Sequence, residues 1–143
     1  MKKILLLLVT AVFIYGYIQN QDFSFSGPAS STGKNGAIQS AYASKQSDVQ
    51  VQGEGTVTNV MSDDLEGSRH QRFILKLSSG QTLLISHNID LAPRIDHLSA
   101  GDTVEFFGEY EWNSKGGVVH WTHRDPGGRH IAGWIKHQGR TYQ

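Results

Sequence analysis

Apolar side chains recur at every second position in five runs between residues 49 and 123, and that pattern limits the chain to sheet with one buried face. The runs are VQVQGEGTVTNV (49–60), RFILKLS (72–78), QTLLISH (81–87), DTVEFFGEYEW (102–112) and VVHWTH (118–123). In the first, Val49, Val51 and Val57 share a face, and Gly53 and Gly55 between them mark a bend or bulge. In the second, Phe73, Leu75 and Leu77 face inward while Arg72 and Lys76 face out. In the fourth, Val104, Phe106, Tyr110 and Trp112 line one face with Gly108 among them, and Glu105, Glu109 and Glu111 line the other. Ser78-Ser79-Gly80 reads as a tight hairpin connection.

Between the third and fourth runs, Asp90 can cap a helix and Pro93 is tolerated in its first turn. Leu91, Ile95 and Leu98 then follow helical spacing up to Gly101, which predicts one short amphipathic helix. Three strands, a helix and two strands is the order of the OB-fold, and glycines within strands one and four suit a tightly curled barrel. GWIKHQGRTYQ (133–143) adds a final hairpin with Gln138-Gly139 at its tip. The expected fold is all-β with one short helix: an OB-fold-like five-stranded Greek-key barrel over residues 48–143, with a C-terminal β-hairpin.

Ahead of the barrel, Lys2 and Lys3 precede the apolar run ILLLLVTAVFIYGYI (4–18), the pattern of a bacterial export signal. The run is short for a membrane span of about 20 residues. Tyr15 and Tyr17 would suit the membrane interface of an uncleaved anchor. Residues 1–20 therefore read as a hydrophobic signal peptide or membrane-anchor helix. Residues 21–47, rich in Ser, Gly and Gln, read as a flexible linker with a possible short helix near Ile38 and Tyr42. The expected location is periplasmic or secreted, with a tether to the inner membrane if the segment is retained. With no cysteine, disulfide frameworks and thiolate zinc sites are excluded. A formal net charge of zero argues against nucleic acid as the partner.

The stretch HWTHRDPGGRHIAGWIKHQG (120–139) holds four of the seven histidines and two of the three tryptophans. His120, His123 and His130, completed by water or a carboxylate, would suit zinc or another divalent metal. Residues 120 and 123 face opposite sides of a regular strand, so this set requires the strand to break near Thr122. Asp125-Pro126-Gly127-Gly128 is composed to turn the chain just beyond. A second use of the stretch is acid–base chemistry, with Asp125 orienting His123 or His130 as a general base in phosphodiester hydrolysis. A third is ligand binding by Trp121, Asp125, Arg129 and Trp134, aided by the basic Arg124, Lys136 and Arg140. A fourth is packing alone, the tryptophans holding the hairpin to the barrel. His87, at the end of the third strand, is a candidate neighbour.

RFILKLSSGQTLLISHNIDLAPRI and GDTVEFFGEYEWNSKGGVVHWTHRDPGGRHIAGWIKHQGRTYQ resemble an uncharacterised family of small exported bacterial proteins, a domain of unknown function. The resemblance spans residues 50–143 and rests on the signature GEYEWN…GGVVHWTH-x-DP-x-GRH-x-x-GWI. It implies a small exported domain and assigns no catalytic residue. The function expected is a non-enzymatic binding module for a metal ion, an anionic small molecule or a partner protein. A metal- or His-dependent hydrolase and a structural envelope protein without a ligand are the alternatives.

Overall fold

A computed structural model describes residues 33–143; the signal or anchor read over 1–20, and the linker up to residue 32, lie outside the described residues. Helix α1 (Gly36–Ala43) leads into strands β1 (Val49–Val60), β2 (His70–Lys76), β3 (Thr82–Asn88), β4 (Thr103–Glu111) and β5 (Val118–His120). Strands β6 (Trp134–His137) and β7 (Arg140–Tyr142) follow. The order β1-β2-β3-β5-β4 closes on itself through β1–β4, and β3–β5 is the parallel pair. This is the five-stranded OB-like barrel, with β6 and β7 as a hairpin laid along β4.

The alternation read from the sequence is the alternation observed. Phe73, Leu75, Leu83, Ile85, Val104, Phe106, Tyr110 and Val119 are fully buried in the barrel. A Cβ on Gly53 would come within 2.5–2.7 Å of Phe106, Ile38 and Asn35, so glycine is what lets α1 seat against the barrel. An eight-residue helix is marginal alone, and docking supplies what propensity does not. Ile38 and Ala41 are buried, and the Asn35 amide bonds both backbone groups of Glu54, at 3.0 and 2.9 Å.

Two local expectations are overturned. Residues 90–101 form turns, not the amphipathic helix that Leu91, Ile95 and Leu98 suggest. The buried Gln71 side chain takes the helix's place as hydrogen-bond partner. It accepts from the Ile95 N–H at 2.8 Å and donates to the Ile95 carbonyl at 3.1 Å. Ile95 is buried while Leu91 stays 43% exposed, so no helical face is formed. The fifth strand also ends at His120, three residues earlier than its apolar alternation predicts, because Trp121 turns into the left-handed region at φ 55°.

His87 ties the 89–102 loop to the barrel. Its Nε2–H donates to the Pro93 carbonyl at 3.0 Å, and its Nδ1 accepts from the Thr122 hydroxyl at 2.8 Å. Both bonds suit a neutral imidazole, and burial pushes its pKa down to about 4. The unfolded chain protonates this group near pH 6.5, so its contribution to stability is complete above that pH. The contribution is lost as pH falls from about 6.5 to 4, by roughly 3 kcal/mol in all. Urea midpoints measured from pH 7.5 to 4 should therefore fall steeply for the wild type and less steeply for His87→Leu. Parallel curves would show that His87 is not held neutral.

Candidate metal centre

The site begins with a tight turn. The Asn113 side chain accepts the N–H groups of Lys115 and Gly117 at 2.9 and 3.0 Å, and Gly116 and Gly117 take φ of 122° and 103°. That turn sets the antiparallel register of β4 and β5: Glu111 faces Val118, Tyr110 faces Val119, and Glu109 faces His120. His120 thus stands directly across from Glu109 and diagonal to Glu111 on one sheet face. Its Nε2 lies 3.3 Å from Glu109 Oε2 and 3.4 Å from Glu111 Oε1.

The next segment returns a second imidazole to this cluster. β4 has one edge to share between two strands, with Glu109–Glu111 paired to β5 and Val104–Phe107 paired to β6. The intervening residues 121–133 loop out at Gly108. A Cβ on Gly133 would stand 1.9 Å from the Trp121 carbonyl oxygen and 2.5 Å from that of Phe107, so the loop's two ends are pinched together. Asp125 organises the loop interior by accepting the N–H groups of Gly127, Arg129 and His130 at 2.9, 2.9 and 3.0 Å. Those bonds hold its carboxyl below the usual range. His130 then lies flat on Trp121, ring centroids 4.0 Å apart and planes 8° apart, with its Nε2 3.4 Å from Glu109 Oε2.

The chemistry follows from which atoms are already used. His130 donates Nδ1–H to the Ile131 carbonyl at 2.9 Å, so in the neutral ring Nε2 presents a lone pair toward a carboxylate oxygen. Backbone anchoring of one ring nitrogen with the other directed at a donor cluster is the support that metal-ligating histidines receive. The contacts of 3.3 and 3.4 Å are long for charge-assisted hydrogen bonds, which close to about 2.7–2.9 Å. The His120–Glu111 contact is at most a weak hydrogen bond, and the two separations from His120 also match a coordination edge. Zinc bonds of about 2.0–2.1 Å at tetrahedral angles place donor atoms about 3.3 Å apart. One donor atom each from Glu109, Glu111 and His120 lie within 4.8 Å of one another, and no other such group of three occurs among the described residues.

The residues singled out in the sequence are thereby divided. His120 and His130 converge on Glu109. His123 has no contact with either glutamate: its ring lies 5.2 Å from that of Trp121, and it donates Nδ1–H to the Arg124 carbonyl at 2.7 Å. Asp125 shapes the loop, and Arg129 binds it through its backbone N–H. Trp134 sits on β6 against Phe107, 6.1 Å between centroids, with the Lys136 ammonium 4.6 Å from its ring. Glu109 and Glu111 were read only as the outer face of the fourth strand. Counting back from the Asn113–Gly117 turn would have placed Glu109 opposite His120 and Glu111 diagonal to it.

Two cavities flank these elements. One of about 200 Å³ is lined by His70, Asn88, His120, Trp121 and His123 among others, and so borders the donor cluster. A larger cleft of about 620 Å³ lies between α1 and strands β1 and β2. There Lys34 is paired with Glu54 at 2.8 Å and Glu105 at 3.6 Å, and no ligating set converges among the described residues. No curated protein matches the sequence. The family model described as "Protein of unknown function (DUF3465)" matches residues 23–143, and the chain belongs to that family.

Proposed function

We propose that this protein is an exported, OB-like module that binds a transition-metal dication, zinc being the best fit, through Glu109, Glu111 and His120, with His130 standing beside Glu109. The observation that carries this reading is the convergence of one donor atom each from Glu109, Glu111 and His120 within 4.8 Å of one another, with the two separations from His120, 3.3 and 3.4 Å, close to a tetrahedral edge. Imidazole nitrogen favours zinc, nickel or copper over magnesium and calcium, which prefer an all-oxygen shell. Export is supported by the two lysines and apolar run at residues 2–18. The site offers no serine elbow or cysteine nucleophile, so binding is a simpler role for it than covalent hydrolysis.

Calorimetric titration of zinc into the full-length chain should give one-to-one binding, and magnesium at the same concentration should give none. Because Trp121 lies on His130, the same titration should change tryptophan fluorescence. Absence of heat and fluorescence change with zinc, nickel and copper alike would sink the proposal.

A further inference from the structure

We infer that Gln50 positions Glu109 on the cation: its carboxamide donates an N–H to Glu109 Oε1 while Oε2 faces the metal. This rests on the metal reading above and adds to it a residue that the donor set does not contain. The observation behind it is that Gln50 Nε2 is buried without a hydrogen-bond partner, the one side-chain nitrogen or oxygen in that condition among the described residues. Folded proteins leave few buried polar atoms unpaired, and such an atom marks a place where a contact is still to be closed.

The sheet register identifies the group it serves. Gln50 of β1 stands opposite Glu109 of β4, and Glu109 stands opposite His120 of β5. The three side chains therefore leave one face in a row across three strands, with neighbouring Cβ atoms about 4.5–5.5 Å apart. Other acceptors for the amide are few. Its diagonal neighbours on β4 are Phe107, whose side chain offers no acceptor, and Glu111, itself in the donor cluster. Gln52, next on the same face of β1, is exposed opposite Phe107, and Asp48 is exposed with its backbone in the left-handed region at φ 59°. Glu109 has the matching need. His120 and His130 both approach its Oε2, at 3.3 and 3.4 Å, which leaves Oε1 to a further donor. Carboxylates that bind metals are held by such hydrogen bonds, which keep the ligand in one orientation. The terminal torsions of Gln and Glu are broad, so the bond closes by rotation within the two side chains and the sheet stays in place.

The test is Gln50→Met in the full-length chain, which keeps the length of the side chain and removes its donor. Zinc affinity, from competition with a chelator of known affinity, should fall about tenfold, the low end of the loss for a group that orients a metal ligand. The urea midpoint of the metal-free variant should equal or exceed that of the wild type, because an apolar group replaces an unpaired buried donor. Loaded with cobalt, the variant should show shifted visible absorption bands, since a freed Glu109 alters the ligand geometry. Gln52→Met, on the same face but opposite Phe107, should change none of these. Unchanged zinc affinity in Gln50→Met overturns this inference and leaves the metal reading standing. Weaker zinc binding together with a lower metal-free midpoint overturns it too, and assigns Gln50 to packing. Failure of the wild type to take up zinc overturns the metal reading and this inference together.

Discussion

Alanine in place of His120 is expected to weaken zinc binding by at least about a hundredfold, more than any other single change in the stretch 120–139. Among the described residues His120 is the one imidazole within 3.4 Å of both carboxylates, so removing it leaves Glu109 and Glu111 without a nitrogen donor between them. Of the two glutamates His130 approaches Glu109, at 3.4 Å, so His130→Ala should weaken binding by about tenfold. His123→Ala should change zinc affinity little, since His123 faces the neighbouring cavity and the Arg124 carbonyl. A competition titration against a chelator of known affinity gives all three values. Losses at His123 and His130 as large as that at His120 would return the donor set to the three histidines read from the sequence.

The largest effect on stability is expected at Phe106. Phe106→Ala should cost about 3–5 kcal/mol, the range for emptying a fully buried phenylalanine site. The surroundings cannot collapse easily into the space. Phe106 is paired with Gly53 of β1 on one edge and Ile135 of β6 on the other, so both flanking backbones are held in register. Its ring also fills the position that Gly53 leaves open beneath α1. Against a typical domain stability of about 5–15 kcal/mol, such a loss would leave the variant marginal near body temperature. Urea unfolding followed by circular dichroism measures it, and Leu65→Ala, at a side chain 70% exposed, should stay within about 0.5 kcal/mol of wild type. A small loss at Phe106 would mean that the barrel repacks around the gap.

The strands were legible because their information is local. Alternation in RFILKLS or DTVEFFGEYEW states which face is buried whatever the partner strand, and Gly53 and Gly108 mark where another group comes too close for a Cβ. The helix expected over 90–101 shows the limit of such reasoning. Its spacing was sound, but Gln71, 24 positions before Ile95, captured the peptide groups that a helix would have bonded internally. No window of sequence around Ile95 contains that competitor.

The candidate site divides along the same line. By itself the sequence determined the barrel, the closing hairpin and the presence of imidazoles beside a chain-turning Asp-Pro-Gly-Gly. It also determined, through the Asn113–Gly117 turn, a register that can be counted out to Glu109 and His120. Only the tertiary structure decided which histidines share a centre. The left-handed turn at Trp121, the three N–H bonds to Asp125 and the pinch at Gly133 bring His130 back to Glu109 and send His123 elsewhere. Backbone closure of a long loop sets such distances, and residue spacing along the chain does not encode it.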